Sequence, residues 1–238
     1  MAFLSQSLAN PMIKYNEYRL EHVKQRVDRL SVHPLDIMIT GVTGAGKSTT
    51  INALFKKSVA KEGLGTDPET MEVSNYDLNE YIRFWDTPGL GDSIKNDKIH
   101  SKKIVDLLKW TYTYSDKEYG FIDLAVVILD GSVRDMGTAF HLLNDVIVPN
   151  IQSSRILVAV NQADMAMKGR NWLKSYCRPD GPLFDFLESQ TDSVQKRVRQ
   201  STGVRILKPV YYSALHGYNI DKFLDMIYDN IPVRRRPI

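Results

Sequence analysis

The residues best suited to chemistry lie between positions 41 and 49, where Gly41-Val42-Thr43-Gly44-Ala45-Gly46-Lys47-Ser48-Thr49 satisfies G-x-x-x-x-G-K-[ST] at every fixed position. Glycines let the backbone curl until successive N–H groups face one point, an arrangement that suits phosphate oxygens. Lys47 is long enough to reach the β- and γ-phosphates of a nucleoside triphosphate, and Ser48 offers a hydroxyl to Mg2+. Such a loop works only between a strand and a helix. Leu35-Asp36-Ile37-Met38-Ile39-Thr40 reads as the buried strand before it, and Thr49-Thr50-Ile51-Asn52-Ala53-Leu54-Phe55 as the opening turns of the helix after it. The positive end of that helix adds to the pull on an anion.

The base is read further along. Asp86-Thr87-Pro88-Gly89 follows a strand-like run at 81–85 and gives D-x-x-G. Asp86 is placed to hold Mg2+ through a water, and the Gly89 N–H to bond the γ-phosphate. A third apolar run, 156–160, ends in Asn161-Gln162-Ala163-Asp164. The Asp164 carboxylate can accept from both N1–H and the exocyclic amine of guanine. Adenine has no such pair of donors, and a buried carboxylate left unpaired against it costs several kcal/mol. A fourth run, 205–212, ends in Ser213-Ala214, whose backbone N–H is aimed at guanine O6. ATP is the remaining biochemical alternative.

In this order, each at a strand end, the four segments resemble the guanine-nucleotide motifs of the translation-factor-related GTPases, in particular the Era-like group and the septin and immunity-associated GTPases with an Asp86-Thr87-Pro88-Gly89-Leu90-Gly91-Asp92 signature. The likeness spans about residues 35–231. It implies an α/β fold of the Ras-like P-loop kind: three layers, a mostly parallel six-stranded sheet with its second strand antiparallel, and helices on both faces. It implies GTP/GDP and Mg2+ as cofactors. The nucleotide would be held by Gly41, Thr43, Gly44, Ala45, Gly46, Lys47, Ser48, Thr49, Asp86, Gly89, Asn161, Gln162, Asp164, Ser213 and Ala214, and the metal by Ser48, Thr70 and Asp86. Lys47, Thr70 and Gly89 would act on the transferring phosphoryl group. Thr66 competes with Thr70 for the first-switch role; Thr70 is favoured because it stands directly before the strand-like 71–76. Loss of the γ-phosphate would then release both switch loops.

Three residues depart from the family pattern. Gln162 stands where a lysine usually covers the base and ties that loop to the phosphate loop, which implies weaker affinity with guanine selectivity kept. Leu90 follows D-x-x-G where Ras-like enzymes carry a water-orienting glutamine, so intrinsic hydrolysis should be slow and help should come from other groups or an activator in trans. Gly44 occupies the position of an asparagine found in potassium-assisted relatives, which argues against that mechanism. The reading is a slow GTPase acting as a nucleotide-dependent switch. The alternative is a GTP-gated self-assembly module, a homodimer or larger, with little hydrolysis.

With 238 residues, 43% of them apolar, the chain can bury a full core. It has no apolar run long enough to span a membrane, no signal-peptide pattern at its start and a single Cys177, which together point to a reducing cytoplasm. A net charge of +3 is too mild to argue for nucleic acid, and a ribosome-assembly role in the Era manner is not expected, since residues 232–238 offer no RNA-binding domain. The sequence divides into an N-terminal helical extension (1–33), the G domain (34–232) and a basic tail (233–238). The run at 122–129 reads as a central buried strand. Helices are predicted at 99–110, 136–148, 168–176 and 183–200, the last fed by Asp180-Gly181-Pro182. Its basic residues Lys196, Arg197 and Arg199 read as a solvated face or a partner surface. Ile220, Phe223, Leu224, Ile227 and Ile231 trace a closing helix with Asn219 as N-cap. Ile13, Asn16, Leu20, Val23, Val27 and Leu30 form a short seam expected to pack on the core or a neighbour. The Arg234-Arg235-Arg236 run is expected to be solvated, with anionic lipid or RNA as the functional option.

Overall fold

The computed structural model describes residues 14–31, 33–60, 73–133 and 136–238. The architecture follows from three apolar strands buried on both faces: β1 (Leu35–Gly41), β6 (Leu124–Asp130) and β7 (Ile156–Asn161). Successive side chains alternate between two cores. Leu35, Ile37, Ile39, Leu124, Val126, Ile128, Leu157 and Ala159 enter one, while Met38, Ala125, Val127, Leu129, Ile156, Val158 and Val160 enter the other. The sheet is completed by β2 (Ser74–Asn79), β3 (Ile82–Asp86) and β10 (Val210–Tyr211), in the order β10-β7-β6-β1-β3-β2. All neighbours pair parallel except β2, which runs antiparallel to β3, as the family resemblance implies.

Helices cover both faces. The first core is closed by α1 (Leu20–Asp28), α2 (Lys47–Phe55) and α6 (Ile220–Asp229), through Val23, Val27, Ile51, Leu54, Phe223 and Ile227. The second is closed by α3 (Ile94–Lys109), by α4 (Gly137–His141) with its π-type continuation Leu142–Ile147, and by α5 (Gly181–Thr202). The N-terminal seam packs on its own domain: Arg19 clamps Asp225 and Asp229 of α6, and Arg26 reaches the carbonyls of Tyr228 and Asp229. Ile13 lies outside the described residues.

Several predicted elements shift. The helix after D-x-x-G starts earlier than 99, at Ile94, because the Ser93 hydroxyl caps it by accepting the Asn96 N–H. Ile99 and Trp110, read as part of its buried face, are about half exposed. Residues 168–176 form no helix. Positive φ at Met167, Lys168, Gly169 and Asn171 breaks the chain into short 3-10 turns around a tiny pair, β8 (Trp172–Leu173) and β9 (Arg178–Pro179). Asn219 does stand at the N-cap of α6, but in a left-handed conformation, and its amide bonds the Tyr211 carbonyl rather than the helix.

A hairpin was not foreseen. β4 (Thr111–Tyr114) and β5 (Lys117–Gly120) are joined through Ser115 and Asp116, both at positive φ as a two-residue hairpin turn requires. On β5 pairs β11 (Arg236–Pro237). The arginine run is therefore only partly solvated: Arg234 is exposed, as expected, but its two neighbours are not. Arg235 and Arg236 are buried: Arg235 pairs with the fully buried Asp123 and bonds the Pro34 carbonyl, while Arg236 reaches the Leu108 and Asn150 carbonyls. Arg155 adds a bond to the Arg234 carbonyl. Burial of Asp123 demands a cation, and the tail supplies it.

Candidate nucleotide-binding site

Because β10, β7, β6, β1 and β3 run parallel, their C-terminal ends share one edge, and the four motifs gather there. Gly41 ends β1, Asp86 ends β3, Asn161 ends β7, and Ser213-Ala214 follows β10. Lys47 to Thr49 form the first turn of α2, with Gly46 at its N-cap in a left-handed conformation (φ 84°) that favours glycine. A Cβ on Gly46 would also collide with the Asn161 amide.

Asn161 knots the edge together. Its Nδ2 donates to the Ala45 carbonyl (2.9 Å) and its Oδ1 accepts the Ala214 N–H (3.0 Å). That Ala214 N–H was expected at guanine O6. Here it serves Asn161, and the Ser213 N–H bonds the Tyr218 carbonyl. Gln162 donates to the Gly44 carbonyl at 2.6 Å, so the tie from base loop to phosphate loop survives without lysine. Asp164 is only 6% exposed, and its Oδ2 lies 3.6 Å from Nε2 of His216, whose ring packs beside Trp172.

At the phosphate end, Lys47 is buried, its Nζ donating to the Val42 (3.1 Å) and Gly41 (3.4 Å) carbonyls. Burial pushes its pKa down, while Asp86 and Asp92 nearby pull it up. The Ser48 hydroxyl donates to Asp86 Oδ2 at 3.1 Å, and Asp86 Oδ1 is buried without a partner. Burial raises the Asp86 pKa, opposed by Lys47 and by the Ser48 hydrogen bond. An orphaned, desolvated carboxylate oxygen beside a serine hydroxyl fits a hard divalent ion. Among the described residues no cluster of three or more His, Cys, Asp or Glu could hold a metal alone, so such an ion would draw its other ligands from phosphates and water.

The D-x-x-G turn is docked against the phosphate loop. The Thr43 N–H donates to the Leu90 carbonyl at 2.7 Å, and a Cβ on Gly89 would lie 2.7 Å from Thr43 backbone atoms. The Leu90 side chain is completely buried in the second core. Thr87 bonds the Ile39 carbonyl, and Asp97 accepts the Gly91 N–H. His100, Asp97 and His216 have no local motif, and reading the sequence did not single them out. Thr66 and Thr70 lie outside the described residues. Thr49 sits in the first turn of α2.

A family described as 50S ribosome-binding GTPase matches residues 36–162, more than half of the chain. The chain belongs to this GTPase family. Among proteins it is similar to, Translocase of chloroplast 120 from Arabidopsis thaliana is 28% identical over 207 residues, covering 81% of this chain and 18% of the translocase. Septin-12 from Homo sapiens is 38% identical over 73 residues, 26% of this chain and 20% of the septin. The chain thus spans less than a fifth of the translocase it matches. In fold, this G domain is similar to Toc33 from Arabidopsis thaliana in complex with GDP and Mg2+ (TM-score 0.63, 15% identity, 93% of each chain). It is also similar to Era in complex with MgGDPNP and ribosomal RNA nucleotides (TM-score 0.55, 20% identity, 84% of this chain and 58% of Era). Among the described residues no helix is long and apolar enough to cross a membrane.

Proposed function

We propose that this G domain binds GTP with Mg2+ and hydrolyses it slowly to GDP and phosphate, working as a nucleotide-dependent switch. The observation that carries this is the convergence, on one sheet edge, of buried Lys47, the Ser48–Asp86 pair and the Asn161–Asp164 segment. Membership of a GTPase family and the nucleotide complexes of Toc33 and Era, similar in fold, support it. Mg2+, when bound through Ser48 and Asp86, neutralises charge on phosphate oxygens; Thr70 is the proposed third protein contact. Lys47 and the loop amides stabilise the charge that spreads over the transferring phosphoryl group. Asp164 selects guanine by accepting its two edge donors. Leu90, turned into the core, gives the attacking water nothing to bond, which supports a low intrinsic rate.

Calorimetry of nucleotide-free protein with GTP, GDP and ATP tests the reading. Tight binding of both guanine nucleotides and none of ATP is expected, and D164A should erase that difference. No heat with either guanine nucleotide would overturn it.

A second reading, nucleotide-gated self-association, is favoured by one observation: in chloroplast translocon components of similar fold (TM-score 0.61, 14% identity), dimerization is important for the GTPase activity. Light scattering with GDP and with a non-hydrolysable GTP analogue separates the two, since only assembly requires a nucleotide-dependent change in mass. Turnover whose specific activity rises with protein concentration would place catalytic help in a second copy. A flat profile would point to a separate activator.

A further inference from the structure

His100 is a buried residue of α3, 1% exposed, and its Nδ1 lies 2.7 Å from the carbonyl oxygen of Gly89. A carbonyl can only accept, so Nδ1 carries the proton and the tautomer is fixed. The turn on which this bond acts is otherwise held at its ends. Thr87 is tied to β1 through the Ile39 carbonyl, and Leu90 is tied to the phosphate loop by the Thr43 N–H and by its buried side chain. Between these anchors stands Gly89, packed against the Thr43 backbone with no room for a Cβ, and its carbonyl turns to α3. The His100 hydrogen bond sets the rotation of the peptide that follows it.

We propose that His100 is the positioning residue for Gly89: it fixes the turn so that the Gly89 N–H meets the γ-phosphate, and thereby sets the preference for triphosphate over diphosphate. This rests on the GTP reading above. It also links α3 to the turn: the bonded carbonyl belongs to the Gly89–Leu90 peptide, adjacent to the one that carries the Gly89 N–H, and any rotation of that peptide must break the bond to His100 or carry α3 with it. GDP, which makes no contact at Gly89, is indifferent to His100.

The test compares H100N, H100Q and H100A with the wild type, measuring affinity for GDP and for a non-hydrolysable GTP analogue and checking folding by thermal unfolding. Asparagine places an N–H near the position of Nδ1, whereas glutamine places one near Nε2. H100N should keep the analogue-to-GDP affinity ratio within about twofold, while H100Q and H100A lose about tenfold in that ratio with GDP binding unchanged, the effect of weakening one hydrogen bond to the γ-phosphate. A well-folded H100A with the wild-type ratio overturns the proposal, as does equal loss of both nucleotides. Should H100A not fold, H100N decides: a ratio as poor as that of H100Q overturns the role of the Nδ1–H. Wild-type protein that binds neither nucleotide overturns the GTP reading itself, an outcome distinct from normal binding with an unchanged ratio in the variants.

Discussion

Asn161 shows how one side chain can serve both halves of a ligand site. Its amide touches the phosphate loop at Ala45 and the Ala214 loop on the other side, so disturbing it should harm phosphate and base binding together. Gly46→Ala tests this without removing a hydrogen-bonding group. The new methyl meets the Asn161 amide and forces a strained left-handed backbone, so GDP and GTP affinities should both fall by about a hundredfold or more in calorimetry. Gln162→Ala should act more mildly. Its bond to the Gly44 carbonyl is solvent-exposed, and its loss should weaken both nucleotides by about threefold to tenfold. The phosphate loop and the Asn161–Asp164 segment were legible because each is a local pattern at a strand end. His100 was not legible: nothing near it in sequence marks a histidine that folds back onto Gly89, and only the path of α3 makes the contact.

Among elements, α2 fixes the chain that follows it. Asn52 accepts the N–H groups of Val59 and Ala60 and donates to the Ala60 carbonyl, holding the strand-less stretch just before 61–72. Asn52→Ala should cost about 2–3 kcal/mol in urea unfolding and speed proteolytic cleavage near residues 56–60. Between β1 and β3, Asp36 accepts the Trp85 indole N–H at 2.8 Å. Burial, only partly offset by that bond and by Arg83, raises its pKa to about 6. The folded state then binds a proton more tightly than the unfolded chain, so this group's contribution to stability is full below its ordinary value near 3.8 and is lost as pH rises through about 6. Asp36→Asn keeps the acceptor but not the charge. Its melting temperature should gain on the wild type steadily between pH 4 and 7, a trend thermal scans at several pH values would show. The strands and helices of the core were readable because continuous apolar runs and three-to-four spacing survive without tertiary help. The hairpin at 111–120 carried a readable signal, alternating Thr and Tyr around Ser115-Asp116, but its apolar content is low and its stability comes from β11 and the Trp85, Trp110 and Phe121 rings nearby. The stretch 168–176 failed as an α-helix because five of its residues or neighbours (Met167, Lys168, Gly169, Asn171 and Cys177) adopt positive φ, which composition alone does not announce.

For the whole molecule, the edge of the sheet away from the nucleotide is held by charge. Asp123 is fully buried, and burial raises its pKa against the pull of Arg235. Arg235→Ala should therefore cost about 3–5 kcal/mol in denaturant unfolding by stranding a buried carboxylate, and adding Asp123→Asn should recover a large part of that loss. GDP affinity should change little where the protein remains folded, because these residues touch none of the nucleotide motifs. Arg235 and Arg236 looked solvated because charge runs usually are, as Arg234 indeed is; long-range partners, Asp123 for Arg235 and two backbone carbonyls for Arg236, make burial favourable. The opposite edge has its own fixed point in Leu90, sealed into hydrocarbon while its carbonyl anchors the phosphate loop. Grafting a glutamine there to hasten turnover, as comparison with faster enzymes would suggest, should instead trap an amide in oil: L90Q would melt earlier without cleaving GTP any faster, so a quicker version of this protein must be sought by redirecting the turn rather than by exchanging one side chain.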